Sequence, residues 1–273
     1  MSRDSAARTA LSWLDGATTT VQDLTPLAFA GYAHFTAMQV REGGVRGLDL
    51  HLERLRLASL RLFGGAKPDN EVRGLLRAAV QATGADLSLT ATVFEPVGEF
   101  TAASDDDGLR ILVRTASPAS GPEGPLRLTV VEHERTLPTV KHVGEVAKTF
   151  YLRQANAEGH DDAAFVDRRG RLSEATIWNL AFWDGSAVVW PDAEMLTGIT
   201  MAIVRRQLEG LGVPQRTQEV TVADLPQLSG AVVMNSWTPG IAVHQVGPVA
   251  VPEAPDFVEL LHRAYRNEPL IAP

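Results

Sequence analysis

No cysteine occurs among the 273 residues, so disulfides and thiolate chemistry are excluded, an absence that fits a cytoplasmic protein. Lysine is nearly as scarce, with only Lys67, Lys141 and Lys148. No apolar run approaches the roughly 20 residues of a membrane span. The N-terminal MSRDSAARTALSW lacks the apolar core of a signal peptide. The net charge of -8 leaves no basic stripe to displace counterions, which argues against nucleic acid as a partner. A GxSxG elbow, a P-loop and a GxGxxG are all missing, and the seven histidines are scattered without zinc-helix spacing. Most hydrolase, kinase, dinucleotide and zinc-enzyme readings fall with them, and no metal site is expected.

What remains is a soluble globular composition, 45% hydrophobic and 21% charged, long enough for one large or two ordinary domains. Residues 1–10 read as a loose start. Ser12 to Gln22 reads as a hairpin turning at Asp15-Gly16, and a second strand pair turns at Glu42-Gly43-Gly44. A helix capped by Asp49 runs to Phe63 with an expected apolar stripe of Leu52, Leu55, Leu57, Leu60 and Leu62. Another covers Asn70 to Thr83, followed by strands Leu87–Glu95 and Leu109–Thr115 around the acidic tip SDDDG. The Pro/Gly/Ser-rich ASPASGPEGP, residues 116–125, marks a linker between a small domain, 1–115, and a larger one, 126–273. The second half interleaves strands at 126–132, 163–166, 179–183, 188–190, 218–222, 231–235 and 241–246 with helices at 144–158, 200–210, 223–228 and 256–266. The expected fold class is α+β in two lobes.

Candidate chemistry concentrates between Leu137 and Ser236. Lys141 lies in an apolar VKHV context; an amine that forms a Schiff base must be held uncharged, and burial does that. A snorkelling surface lysine gives the same text. Glu174, in LSEATIWN, is a carboxylate able to face a pyridine nitrogen, or a solvated loop glutamate. Gly198-Ile199-Thr200 opens an apolar-periodic helix, where free N–H groups and the helix dipole favour a phosphate; plain capping is the alternative. Ser236, after the strand AVVMN, offers a hydroxyl to the same anion or simply forms a turn. Arg54, in HLERLRLASLRL, has the guanidinium for a bidentate phosphate clamp, whereas Arg56 and Arg61 read as solvated.

Taken together, HLERL, VKH, LSEATIWNLAFWDG, LTGIT and VMNSWTPGIAV resemble the class IV aminotransferase family, over about Phe29 to Val246. That family comprises branched-chain and D-amino-acid aminotransferases and aminodeoxychorismate lyase. The resemblance implies pyridoxal 5′-phosphate as cofactor and the fold type IV architecture of two α/β lobes, with the cofactor at the domain interface and the 116–125 linker forming one wall. It implies a homodimer and small-molecule substrates, an amine or amino acid with a keto acid. It places the Schiff-base amine at Lys141, the pyridine-nitrogen carboxylate at Glu174 and a structural asparagine at Asn179. The phosphate falls to Arg54, Ile199, Thr200 and Ser236. Tyr32, His34, Thr36 and Trp237 are aligned with the substrate wall.

Three departures stand out. GYAHFT replaces GDGxFE, leaving Thr36 where aminotransferases keep a glutamate and the lyase branch keeps a threonine. Met201 replaces an arginine, and Gly144 an asparagine. Three functions follow: an aminotransferase working on an amino acid or related primary amine with an α-keto acid acceptor; a lyase of the aminodeoxychorismate type, which HFTAM and KH favour; and an inactive relative that binds an anionic metabolite.

Overall fold

The structure, a computed structural model, describes residues 10–29, 31–96 and 108–273. The loose start at 1–10 and the acidic tip at 104–108 fall, but for Ala10 and Gly108, outside the described residues. In chain order the strands and helices are β1 Leu11–Leu14, β2 Ala17–Thr18, α1 Val21–Phe29, β3 Ala33–Arg41, β4 Gly44–Arg46, α2 Leu48–Phe63, α3 Asp69–Thr83, β5 Leu87–Phe94 and β6 Arg110–Ala116. There follow β7 Leu126–Glu132, α4 Val146–Ala157, β8 Asp162–Val166, β9 Leu172–Ala175, β10 Asn179–Trp183, β11 Val188–Pro191, α5 Ile199–Gly210 and β12 Gln215–Gln218. After a 3-10 helix, Val222–Gln227, come β13 Gly230–Asn235, β14 Thr238–Val246, β15 Val249–Ala250, α6 Pro255–Asn267 and β16 Leu270–Ile271. The architecture is α+β, as the interleaved pattern implied.

The chain forms two compact units. The first combines residues 1–119, 140–144 and 269–273; the second takes 120–139 and 145–268. Each therefore draws on more than one stretch of sequence, and hydrogen bonding gives the reason. The Phe35 N–H donates to the Lys141 carbonyl (2.8 Å) and the Val143 N–H to Ala33 (3.0 Å), so 140–144 lies along β3. The last strand, β16, pairs with β4 through Leu270 opposite Arg46 and Ile271 opposite Val45.

In the first unit one seven-stranded sheet runs β16-β4-β3-β5-β6-β1-β2. Both turns expected from Asp-Gly and Glu-Gly pairs form, with positive φ at Asp15, Gly16, Glu42 and Gly43, the geometry a two-residue hairpin demands. Alternation along β3 buries Met38 and Val40 against Leu52, Leu55 and Leu76 of α2 and α3. The stripe expected on α2 needs correction. Leu57 and Leu60 are about half exposed, and the buried face is Leu48, His51, Leu52, Leu55, Ala58 and Ser59. Those positions follow a 3.6-residue period; a step of two crosses to the far side of a helix. Two further differences concern element boundaries. The hairpin expected to run to Gln22 ends at Thr18, because Val21–Phe29 forms α1, a helix that the sequence reading missed. The strand expected at 218–222 sits at Gln215–Gln218, where it pairs in parallel with β11, while Val220 enters the core from a loop.

The second unit is built on a nine-stranded sheet in the order β12-β11-β10-β13-β14-β7-β8-β9, with β15 on β14. It closes on itself: β9 also pairs with β10, so β10, β13, β14, β7, β8 and β9 form a ring. One face packs Leu128, Leu172, Leu180, Phe182, Val233 and Val243 together. The other face, carrying Ala181, Val188, Val232 and Met234, is covered by Met201, Val204 and Leu208 of α5 and Phe257 and Leu261 of α6. No described helix is long and apolar enough to cross a membrane.

Two buried histidines join β3 to α2 in the first unit: His34 Nε2 bonds Ser59 Oγ at 2.9 Å, and His51 Nδ1 bonds Thr36 Oγ1 at 2.6 Å. Burial lowers the pKa of His34 to about 4. Burial, followed by the Arg54 charge, lowers that of His51 to about 3. Both rings are neutral when folded, so their contribution is complete above the unfolded histidine pKa of ~6.5 and is lost as pH falls below it. Each should forfeit about 2 kcal/mol between pH 7 and pH 5. Urea unfolding at the two pH values tests this. His51→Gln should remove roughly one proton's share of the slope, and a wild-type stability identical at pH 7 and pH 5 would contradict the burial argument.

Candidate active site

Among the residues singled out from sequence, Glu174, Asn179, Ile199, Thr200, Ser236 and Trp237 belong to the second unit; Tyr32, His34, Thr36, Arg54 and Lys141 belong to the first.

Glu174 is no solvated loop residue. It lies in β9, is 3% exposed, and stands opposite Asn179 of β10 at the one register pair that closes the ring. The bend between these two strands is held by Asp162, a residue that sequence reasoning passed over. Its carboxylate accepts from the N–H of Ala163 (2.7 Å), the N–H of Thr176 (3.2 Å) and the indole N–H of Trp178 (2.9 Å). Burial raises the Asp162 pKa against these donors, which pull it down.

The Asn179 side chain turns toward the segment ahead of α5. Its amide donates to the Leu196 carbonyl at 2.7 Å, and its Oδ1 accepts the Gly198 N–H at 2.9 Å. A Cβ built on Gly198 would lie 2.1 Å from that Oδ1, so only glycine permits the approach. Thr200 Oγ1 then donates to the Asn235 carbonyl at 2.8 Å, which ties the first turn of α5 to the end of β13, one residue before Ser236. Asn235 Oδ1 accepts the Trp237 N–H at 2.8 Å, and the Trp237 ring meets Trp178 edge to face at 5.8 Å. Glu174, Asn179, the α5 N-terminus and Ser236 are thus joined by consecutive bonds within one unit. The first-turn amides of α5, including Ile199 and Thr200, have no intrahelical acceptor by helix geometry and carry the positive end of the dipole.

Around Glu174 lie two cations that the sequence reading did not place there. Lys148 Nζ, on α4, donates to Oε2 at 3.3 Å. Arg135 Nε is 3.6 Å from Oε1, and Arg135 Nη2 is 3.4 Å from Glu145 Oε1. The Arg135 and Glu174 side chains are almost wholly buried. Oε1 of Glu174 receives no hydrogen bond within the described residues. A buried carboxylate oxygen without a donor is costly, and it fits a group that brings an N–H, as a protonated pyridine nitrogen does. Burial lowers the Lys148 pKa, with Glu174 opposing and Arg135 adding to the shift. The sequence signal for Lys148 was its rarity as one of three lysines, seven residues after Lys141.

In the first unit, Lys141 Nζ lies 4.7 Å from the centre of the Phe35 ring. Phe35 and Lys141 share the face of β3 opposite to the one that carries His34 and Thr36. The latter two, expected on the substrate wall, are fully buried and bonded to α2, because alternation along the strand turns them to the helix. The Tyr32 hydroxyl likewise donates to the Leu62 carbonyl at 2.8 Å, although the residue remains half exposed. Arg54 is half-buried on α2 near His51. No group of described residues could hold a metal ion.

A buried carboxylate with an undonated oxygen is thus strand-paired to the residue whose side chain shapes the N-terminus of α5. The chain belongs to the class IV aminotransferases, whose family model matches residues 33–246. Pyridoxal 5′-phosphate is the cofactor of that family. No curated protein matches the chain significantly. Among solved structures, the branched-chain aminotransferase of Thermoproteus uzoniensis with norvaline is 22% identical, covering 94% of this chain and 93% of its own, with a TM-score of 0.78. That of Thermobaculum terrenum in its PLP form is 17% identical over 94% and 92%, TM-score 0.80. A putative 4-amino-4-deoxychorismate lyase of Legionella pneumophila is 19% identical over 92% and 96%, TM-score 0.77. At these identities the likeness is one of fold.

Gly198→Ala should force the Asn179 side chain from its place, lose both of its bonds and weaken pyridoxal phosphate binding by about tenfold or more. Absorbance titration of the folded variant measures it. Unchanged affinity would show that the α5 N-terminus does not depend on Asn179.

Proposed function

We propose that this protein is a pyridoxal-phosphate-dependent aminotransferase that moves the amino group of an amino acid or related primary amine to an α-keto acid. The observation that carries the reading is the buried Glu174 carboxylate with its open Oε1, paired to Asn179 beside the α5 N-terminus. The cofactor supplies an aldehyde that condenses with amines and a ring that draws electrons from the bond to be broken.

Each residue has a separate task. Glu174 would accept from the ring nitrogen and orient the ring. The amides of Ile199 and Thr200 would hold the phosphate, with the Ser236 hydroxyl and the Arg54 guanidinium adding a donor and a charge. Asn179 fixes the segment from which the helix starts. Lys141 would hold the cofactor through its amine, and that amine would take the proton from the substrate Cα and return it. Trp237, packed on Trp178 and 40% exposed, offers an aromatic wall to the substrate.

The lyase alternative leaned on HFTAM, which holds Thr36, and on the Lys141-His142 pair; the structure bears on the first through Thr36. Its hydroxyl is committed to His51 on the helix side of β3, away from the face that carries Lys141, and this favours transamination. The protein should work as a homodimer, by analogy with its family.

Borohydride reduction of the protein loaded with pyridoxal phosphate, followed by peptide mapping, should find the cofactor on Lys141. Lys141→Ala should lower turnover by at least about 1000-fold. A variant with full turnover, or cofactor mapped elsewhere, would overturn the assignment. Incubation with an amino donor and a keto acid should pass the amine on; release of pyruvate without an acceptor would establish the lyase. Absence of any visible absorbance after reconstitution would leave only the inactive binder.

A further inference from the structure

Two tryptophans, one at the bend between β9 and β10 and one at the turn between β13 and β14, are held in series. Trp178 is buried, and its indole N–H donates to Asp162 Oδ2 at 2.9 Å. That carboxylate is itself fixed, because Oδ1 accepts the N–H groups of Ala163 at 2.7 Å and Thr176 at 3.2 Å. Trp178 meets Trp237 at 5.8 Å between ring centres and 81° between planes, and the Trp237 N–H donates to Asn235 Oδ1. Aromatic pairs favour this crossed arrangement, so a Trp178 ring that cannot turn restrains the Trp237 ring as well. Trp237 nevertheless stays 40% exposed. A large indole held on one side and open on the other presents a rigid apolar face, and a group that lands on it pays little ordering entropy.

Trp237 lines a cavity of about 730 Å³ whose walls all belong to the second unit. That is an ordinary size for a small-molecule site. Its other apolar walls include Pro122, Pro239, Ile241 and Val258. Two carboxylates also line it, Glu253 and Glu259, the second paired with Arg266, and no lysine or arginine does. An acidic side chain would meet a carboxylate there and no lining cation. Trp237 follows Ser236 at one residue's distance, about 3.8 Å between Cα atoms. On pyridoxal phosphate the aldehyde and the phosphate arm occupy neighbouring ring carbons. A wall beside the phosphate turn is therefore also beside the place where the substrate amine is held.

We propose that Trp237 and its cavity receive the side chain of the amine substrate and select aromatic and large apolar amino acids, with Trp178, tethered to Asp162, as the positioning residue that holds the wall in place. The inference rests on the aminotransferase reading and names its substrate class. Trp178 touches neither cofactor nor substrate in this role; it acts only through Trp237.

The test compares phenylalanine, alanine and glutamate as amino donors by kcat/KM on the full chain loaded with pyridoxal 5′-phosphate. Alongside it, calorimetry measures the binding of unreactive 3-phenylpropionate against propionate. Wild type should prefer phenylalanine to both other donors and bind 3-phenylpropionate at least about tenfold more tightly than propionate. Trp237→Ala should lower the phenylalanine-to-alanine ratio about tenfold. Trp178→Phe, which keeps a ring but loses the bond to Asp162, should lower it roughly threefold with the cofactor still bound. The double variant should fall no further than Trp237→Ala, as expected of residues that act as one unit. Affinity for 3-phenylpropionate should follow the same order. Should Trp178→Phe fail to fold, Trp237→Ala, at an exposed position, keeps the test decisive. An unchanged ratio in Trp237→Ala, or a wild-type preference for glutamate, would overturn the substrate class. No change in Trp178→Phe, or losses that multiply in the double variant, would overturn the positioning role. Amine transfer from none of the donors would instead remove the aminotransferase reading; 3-phenylpropionate bound no more tightly than propionate would overturn the cavity assignment whatever the turnover.

Discussion

The pairing of β9 with β10, Glu174 opposite Asn179, is the contact from which the rest of the site follows. It closes the sheet of the second unit into a ring, and a ring has no free edge between these strands to slip in register. One member of the pair is a buried carboxylate. The other reaches the turn before α5 and determines where that helix begins. The buried carboxylate and the helix N-terminus are thereby set at a distance that the backbone itself defines, with Asp162 bracing the bend between the two strands.

The same economy shows in the first unit. One face of β3 is given to α2, through His34 with Ser59 and Thr36 with His51, and the other face carries Phe35 beneath Lys141. Neutral histidines suit this junction because burial keeps each uncharged. The segment 140–144 reaches β3 by backbone hydrogen bonds from a distant part of the chain. Lys141 is therefore carried by a strand-like edge.

Much of this was legible in sequence. The turns at Asp15-Gly16 and Glu42-Gly43, the amphipathic α3 and the α+β class followed from turn chemistry and period. The linked motifs identified the family that the comparisons show. What was not legible was where side chains point once a strand alternates and a ring closes. GYAHFT reads as a row of polar candidates, yet alternation sends His34 and Thr36 into the helix. Helix α1 has no buried residue, so it carried no periodic stripe to detect. Arg135, Lys148 and Asp162 lie 39, 26 and 12 residues before Glu174 (174 − 135, 174 − 148 and 174 − 162), and only the closed sheet brings them to it or to the bend beside it.

A crystal structure of the protein with pyridoxal 5′-phosphate bound tests the central claim most directly. The ring nitrogen should lie within about 3 Å of Glu174 Oε1, with the phosphate against the Ile199 and Thr200 amides of α5. A ring found away from Glu174, or a phosphate that leaves that helix end untouched, would contradict the account.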